Sequence, residues 1–374
     1  MQNVARTTLG WLGVVGALAG VAGMAACSDS SEANSSDAGT MVDTDASATG
    51  ADGGTVGQDG SIVTGAAPTP ILGTSETLDL TSDGAGMFSI LDDRVMAAGA
   101  TDTSARVVCT LGSGLKAIVH SAGSVYVLRS GSPGGIYKLS AATPDAGCEM
   151  LGSATPNFTT NLIAVGTSLF YYGTTDLMRF DLGTKTEASV MTTTGSGFIG
   201  TLRSTGNYGF ILDTNTGNVS NDSAQPAPAS AVRFAPDGTG RETYERFGSP
   251  YDAEYVAVGN TIHWTKRGSS GLAFASRADS DISSAPTDGR PVPLEPGRQI
   301  SFCGANAELA AYTVLENEGA TLKHYTIKAG QVDPVARASQ AANAVGPGYT
   351  SPCALSSANM WVIMSDGTIG RIAL

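Results

Sequence analysis

From residue 75 onward the chain alternates apolar and polar positions in short runs, each opened by a small residue or Asn. The runs are Gly86-Met87-Phe88-Ser89-Ile90, Gly123-Ser124-Val125-Tyr126-Val127, Gly166-Thr167-Ser168-Leu169-Phe170-Tyr171, Gly206-Asn207-Tyr208-Gly209-Phe210-Ile211, Gly259-Asn260-Thr261-Ile262-His263-Trp264, Asn306-Ala307-Glu308-Leu309-Ala310-Ala311-Tyr312 and Ala358-Asn359-Met360-Trp361-Val362. Period-two alternation in segments this short predicts β-strands. The seven runs begin 37 to 53 residues apart, about 45 on average, which is the period of a four-stranded propeller blade. The expected fold class is therefore all-β, a β-propeller of seven four-stranded blades, with the uneven spacing leaving six to eight open. No stretch after the first 27 residues has sustained helical spacing.

A further strand follows most of these runs, and in five repeats it carries a basic residue: Lys138, Arg179, Arg233, Lys323 and Arg371. Alternation predicts that these charges share one face of their sheets, as a solvated face or as contacts between blades. Asp237-Gly238, Asp288-Gly289, Asp366-Gly367 and the segment from Gly131 to Gly135 supply turn chemistry between strands. If each blade is divided into strands A to D, the first A strand spans 77–81 and the last repeat ends on its C strand at Leu374. One strand is missing there, and an open edge invites pairing. A segment preceding the first blade, 61–64 or 70–73, is expected to supply it and close the ring.

The third repeat, 165–186, joins Leu169-Phe170-Tyr171-Tyr172 to Leu177-Met178-Arg179-Phe180-Asp181-Leu182 and closes on Gly183-Thr184-Lys185-Thr186. It resembles a blade of the quinoprotein-like, TolB-like and YVTN-type propellers, and the resemblance extends over most of residues 75–374. It implies a fold more than a function, because such folds host many activities. A quinone cofactor would go with the quinoprotein branch, but the chain has neither a vicinal cysteine pair nor a Trp-containing docking repeat. No cofactor is expected.

The N-terminus supplies an address. Arg6 precedes an apolar run from Leu9 to about Ala22, which ends in Met24-Ala25-Ala26-Cys27, an order typical of a secretory signal. The run is too short and glycine-rich for a spanning helix. The tetrad resembles a bacterial lipobox, with Met24 where Leu is commoner. That resemblance implies cleavage after residue 26, lipid modification of Cys27, palmitate included, and, with Ser28 next, sorting to the outer membrane, on its periplasmic side or at the cell surface. Residues 27–70 form the expected tether, since 28–70 hold seven acidic residues, no Lys or Arg, and mostly Ser, Ala, Gly and Thr. Such a stretch buries too little apolar surface to offset its chain entropy. The propeller is expected to occupy 71–374.

Charge narrows the partners. The formal net charge is −13, so the chain lacks the basic face that nucleic acid requires. An anionic bilayer also repels it, and membrane attachment is expected through lipid alone. The expected molecule is a monomer.

With Cys27 acylated, four cysteines remain, an even number suited to an oxidising compartment. Cys109 and Cys148 hold matching places in adjacent repeats, as do Cys303 and Cys353. Of three possible connectivities the favoured one joins Cys109 to Cys148 and Cys303 to Cys353. The second bridge is the more secure, because inner strands converge at the axis whereas equivalent outer strands can lie beyond the ~5.5 Å Cα separation a disulfide needs.

The search for catalytic chemistry is sparse. His120, His263 and His324 are far apart and lack the spacing that places two on one metal, so each reads as a surface or packed histidine. Ser113-Gly114-Leu115-Lys116 matches a Ser-x-x-Lys pattern without its partner motifs or a helix to carry it. Asp279, Asp281 and Asp288 have a spacing that can share calcium, but without the glycine and terminal glutamate of an EF-hand a solvated acidic loop is favoured. No catalytic residue and no metal site is assigned. The expected function is a lipid-anchored binding or scaffold module of the cell envelope for a protein or glycan ligand. The alternative is a hydrolase or lyase acting on an extracellular polysaccharide or another extracellular substrate, which paired carboxylates at the axial mouth, one with a raised pKa, would favour.

Overall fold

The computed structural model describes residues 55–56, 62–63, 68–72, 77–156, 161–174, 176–192, 202–213, 229–247, 254–268, 271–292, 299–316, 321–328, 334–341, 353–364 and 367–374. The signal segment, Cys27 and most of the acidic stretch lie outside these residues. Two short strands, β1 (Thr55–Val56) and β2 (Ile62–Val63), pair antiparallel within the stretch expected to be a tether. One 3-10 turn, Pro144–Ala146, accompanies the strands, and no helix among the described residues is long and apolar enough to cross a membrane.

Seven four-stranded antiparallel sheets follow one another along the chain. Blade 1 comprises β4 (Thr77–Ser82), β5 (Gly86–Leu91), β6 (Arg94–Gly99) and β7 (Arg106–Thr110). Blade 2 comprises β8 (Leu115–Ser121), β9 (Ser124–Arg129), β10 (Gly135–Ser140) and β11 (Glu149–Gly152). Blade 3 comprises β12 (Leu162–Val165), β13 (Ser168–Tyr172), β14 (Asp176–Asp181) and β15 (Thr186–Thr192). Blade 4 comprises β16 (Arg203–Ser204), β17 (Gly209–Asp213), β18 (Ala229–Phe234) and β19 (Glu242–Phe247). Blade 5 comprises β20 (Tyr255–Val258), β21 (Thr261–Gly268), β22 (Gly271–Ala278) and β23 (Thr287–Val292). Blade 6 comprises β24 (Gln299–Ala305), β25 (Leu309–Glu316), β26 (Thr321–Lys328) and β27 (Val335–Ala341). Blade 7 takes β28 (Cys353–Leu355), β29 (Asn359–Ile363) and β30 (Ile369–Ala373) from the C-terminus and its fourth strand, β3 (Thr69–Leu72), from the N-terminal side.

Each of the seven alternating runs is the second strand of a blade. The first strands pack against one another in sequence, β4 on β8 and so on round to β28 on β4, so they form the inner ring. The turn into the second strand needs a left-handed residue, and glycine supplies it at Gly123 (φ 73°) and Gly166 (φ 56°). Of the two closing segments expected, the one around Pro70 pairs with β30, whereas Ile62–Val63 pairs with β1.

Packing is by neighbours. Seven apolar clusters lie between successive sheets: Phe88, Ile118 and Tyr137 between blades 1 and 2, Leu128, Leu169 and Phe180 between 2 and 3, and Phe170, Ile211 and Phe234 between 3 and 4. Phe210, Tyr244 and Trp264 join blades 4 and 5, Phe274, Phe302 and Tyr312 join 5 and 6, and Leu309, Met360 and Val362 join 6 and 7. The seventh cluster closes the circle, with Ile71 and Trp361 of blade 7 packed against Leu80 and Met87 of blade 1.

Three of the predicted basic positions are inter-blade clamps. Arg179 donates to the carbonyl of Pro236 (3.2 Å), Arg233 to that of Asp279 (2.7 Å) and Arg371 to those of Ala100 (2.7 Å) and Asp102 (2.9 Å), each on a turn of the next blade. Lys138 has the same parity on β10. Lys323 departs from the expectation of one shared face. It pairs with Val314 and has the parity of Tyr325 and Ile327, which pack back toward blade 5, so its charge lies on the opposite face.

Two disulfides join neighbouring blades. Cys109 of β7 bonds Cys148 with a Cα separation of 6.0 Å, and Cys303 of β24 bonds Cys353 of β28 at 5.0 Å. The outer-strand pair is thus within reach after all, because Cys148 lies in the turn before β11, where the chain crosses toward blade 1. A Cβ on Gly304 would collide with the Cys353 carbonyl, so glycine there permits the close approach of β24 and β28.

Candidate functional site

Inner strands of a propeller leave one backbone edge toward the axis, and buried peptide groups need partners. In this ring side chains of neighbouring blades provide several. Asp79 on β4 accepts from the Ile118 amide of β8 at 3.0 Å through Oδ2 and from the Leu80 amide at 2.9 Å through Oδ1, while Thr81 Oγ1 accepts from the His120 amide at 3.2 Å. Ser204 on β16 bonds the Ala164 carbonyl of β12. Arg203, next to it, donates Nε–H to the Tyr255 carbonyl of β20 at 3.2 Å and Nη1–H to the Leu202 carbonyl at 3.1 Å.

These groups converge at one end of the ring. Arg203 and Tyr255 begin inner strands, Asp79 is third in its own, and Tyr172 ends a second strand that runs antiparallel to its inner neighbour. Asp79 and Arg203 belong to blades 1 and 4, on opposite sides of a seven-membered ring, yet each shifts the other's titration. Glu254, Tyr255 and Tyr172 also act electrostatically on Arg203.

Burial governs the chemistry there. It raises the Asp79 carboxyl to about 6, against the lowering effect of the two amides and of Arg203. Burial likewise lowers the Arg203 guanidinium, an effect opposed by Glu254, Tyr255, Asp79 and Tyr172. The phenols of Tyr172 and Tyr255 are pushed upward, mainly by burial. The mouth therefore combines a carboxyl that can hold a proton near neutrality with a cation held by two carbonyls.

The residues singled out by sequence are dispersed. His263 and His324 are 3% and 2% exposed, and burial brings both down to about 4, which makes them packed neutral histidines. His324 Nε2 lies 3.1 Å from the Gln340 amide, beside a small pocket between blades 6 and 7 that also touches Thr313 and Cys353. His120 is half-buried on β8; burial lowers it and Asp83 raises it. Asp279 is buried, with its carbonyl on Arg233, while Asp281 turns onto the amides of Ser283 (2.9 Å) and Ser284 (3.0 Å). The two do not converge, the Asp288 side chain lies outside the described residues, and no cluster of three metal-ligating side chains occurs among the described residues. Ser113 and Lys116 flank the start of β8 with no helix to align them.

Sequence reading missed Asp79, Arg203, Tyr172, Glu254 and Tyr255. A signal was present for Asp79, a carboxylate between Leu78 and Leu80 in a strand expected to line the axis. Arg203 belongs to an inner strand of only two residues, too short for alternation to reveal.

By sequence, the chain matches no protein-family model and no curated protein. By structure it is similar to the tricorn protease, with a TM-score of 0.51 and 10% identity over 83% of this chain and 34% of that one. It is also similar to PorZ, a surface component of the type-IX secretion system of Porphyromonas gingivalis, with a TM-score of 0.49 and 11% identity over 81% of this chain and 37% of that one. An oligogalacturonate lyase crystallised with manganese matches at a TM-score of 0.43 and 12% identity, over 67% of this chain and 73% of that one. The chain thus spans little more than a third of the length of the first two. At such identities the likeness concerns the fold, and the fold is a seven-bladed β-propeller.

Proposed function

We propose that this chain is a binding module of the cell envelope, carried on a lipid anchor at Cys27, which receives its ligand at the axial mouth. Two inter-blade disulfides suit an oxidising compartment outside the cytoplasm. The observation that favours binding over hydrolysis is the engagement of Asp79. Both its oxygens accept backbone amides and Arg203 acts on it electrostatically, whereas a glycosidase needs two opposed carboxyl groups free to exchange protons and act on the sugar. The ring supports such a role mechanically, since disulfides, clamps and a shared closing strand hold the inner strands in register and lower the ordering cost of binding.

The full mature protein, incubated with a panel of envelope and extracellular polysaccharides, is expected to bind without releasing new reducing ends or unsaturated sugars. Turnover that disappears in Asp79→Asn would favour the second reading, an enzyme in which the Asp79 carboxyl, raised to about 6, serves as general acid. The anchor has its own measurement: intact mass of the mature chain should show an acylated N-terminal Cys27, which Cys27→Ser abolishes. An unmodified chain starting elsewhere would refute the lipid-anchored reading.

A further inference from the structure

We propose that the pocket between blades 6 and 7 is a binding site for one internal water molecule, held by His324 and Gln340. Thr313, Leu322, His324 and Gln340 of blade 6 line one side of it, and Cys353 and Val362 of blade 7 close the other. Its cavity of about 20 Å³ is the space that one water needs and is too small for an organic ligand. Strand register brings the polar side chains together. Thr313 lies opposite His324 in the β25–β26 pairing and Gln340 lies opposite Leu322 in the β26–β27 pairing, which sets all three polar groups on the same face of the sheet.

Two polar atoms of that face call for a partner. His324 is 2% exposed, and its Nε2 lies 3.1 Å from the Gln340 amide nitrogen. Its Nδ1 and the Gln340 Oε1 are sealed from bulk solvent and have no hydrogen-bond partner among the described residues. Burial holds the imidazole neutral, so one ring nitrogen carries a proton and the other a lone pair. When the Gln340 amide N–H donates to Nε2, the proton sits on Nδ1, a donor, and Oε1 is left an acceptor. With the Gln340 amide turned over, its oxygen accepts from Nε2–H, leaving a lone pair on Nδ1 and an amide N–H. Either arrangement leaves one donor and one acceptor, each with a desolvation penalty until it is met. Water is both. A metal ion answers lone pairs alone and an anion answers donors alone, so neither completes the pair. The Thr313 hydroxyl offers a further bond, in keeping with the roughly three that buried waters make. Blade 6 thus holds the water and blade 7 encloses it. The Cys303–Cys353 disulfide ties the two blades at the pocket wall, so exchange of the water waits on a parting of blades that the bridge restrains.

The test is a crystal structure of the full mature protein at a resolution that shows ordered water. A single peak is expected within about 3.2 Å of both the His324 Nδ1 and the Gln340 side-chain amide. A dry pocket, or an ion with contacts of about 2.0 to 2.4 Å, would overturn the assignment. In solution, oxygen-17 magnetic relaxation counts waters of long residence. Gln340→Leu should lower that count by a single molecule, and an unchanged count would place the long-lived waters elsewhere and refute the site. Because the crystal structure is of the wild-type protein, it decides the matter even where the variant folds poorly. Cys303→Ser, which leaves the residues of the pocket in place, should shorten the residence time of the water. Equal residence times with and without the bridge would refute its confinement by blade 7.

Discussion

At the residue scale the buried polar groups set the pH response. His263 and His324 titrate near 4 in the fold against an ordinary value near 6.5. As pH falls below about 6.5 the unfolded chain takes up protons that the fold refuses, so stability declines until about pH 4, by up to about 3 kcal/mol for each. Asp79 works in the opposite sense. Its carboxyl at about 6 lies above the ordinary 3.8, so the fold takes up a proton before the unfolded chain does, and stability is gained as pH falls from about 6 toward 4. Two losses against one gain leave a net decline, and denaturant unfolding at pH 6.5 and 4.5 should record it. His263→Leu is expected to flatten the difference by about 2 to 3 kcal/mol; an unchanged pH dependence would show that His263 is not held neutral. Arg233 is a second test. It bonds the Asp279 carbonyl, pairs with Glu242 and lies 4.5 Å over the Tyr208 ring, all while 8% exposed. Arg233→Met should cost about 2 to 3 kcal/mol through the carbonyl left unpaired, measured by chemical unfolding.

At the element scale the decisive strand is β3. Without it β30 would present an open edge and Trp361, fully buried, would lose Ile71 from its cluster. Truncation of residues 28–58 should leave the melting temperature nearly unchanged, while truncation through Leu72 should lower it markedly; identical behaviour of the two would rule out closure by this strand. The repeated runs, the first inner strand at residue 77 and the need for a borrowed strand were legible because alternation and turn glycines are local properties of sequence. The face of Lys323 was not, since a one-residue change of register reverses a side chain and only pairing with Val314 reveals which register holds.

At the scale of the whole molecule, stability is a sum over neighbouring interfaces arranged in a circle. The two disulfides span sequence separations of 39 and 50, and each closes a loop worth about 4 kcal/mol in the chain-entropy account. Non-reducing peptide mapping should recover Cys109 with Cys148 and Cys303 with Cys353. Reduction of both should lower the unfolding free energy by several kcal/mol, and a crossed link such as Cys109 to Cys303 would contradict the order of the blades.

The sequence by itself determined the all-β class, a repeat of about 45 residues, the need for a borrowed strand to close the ring and the matching cysteines, because each follows from spacing along the chain or from edges that must be paired; pairing in the fold chose the segment around Pro70 and the count of seven. Only the tertiary structure decided what lies at the axis. Asp79 and Arg203 are 124 positions apart, and nothing local to either marks it as acting on the other. Closing seven blades into a ring buries both groups, which raises the carboxyl and lowers the guanidinium while each acts on the other's titration.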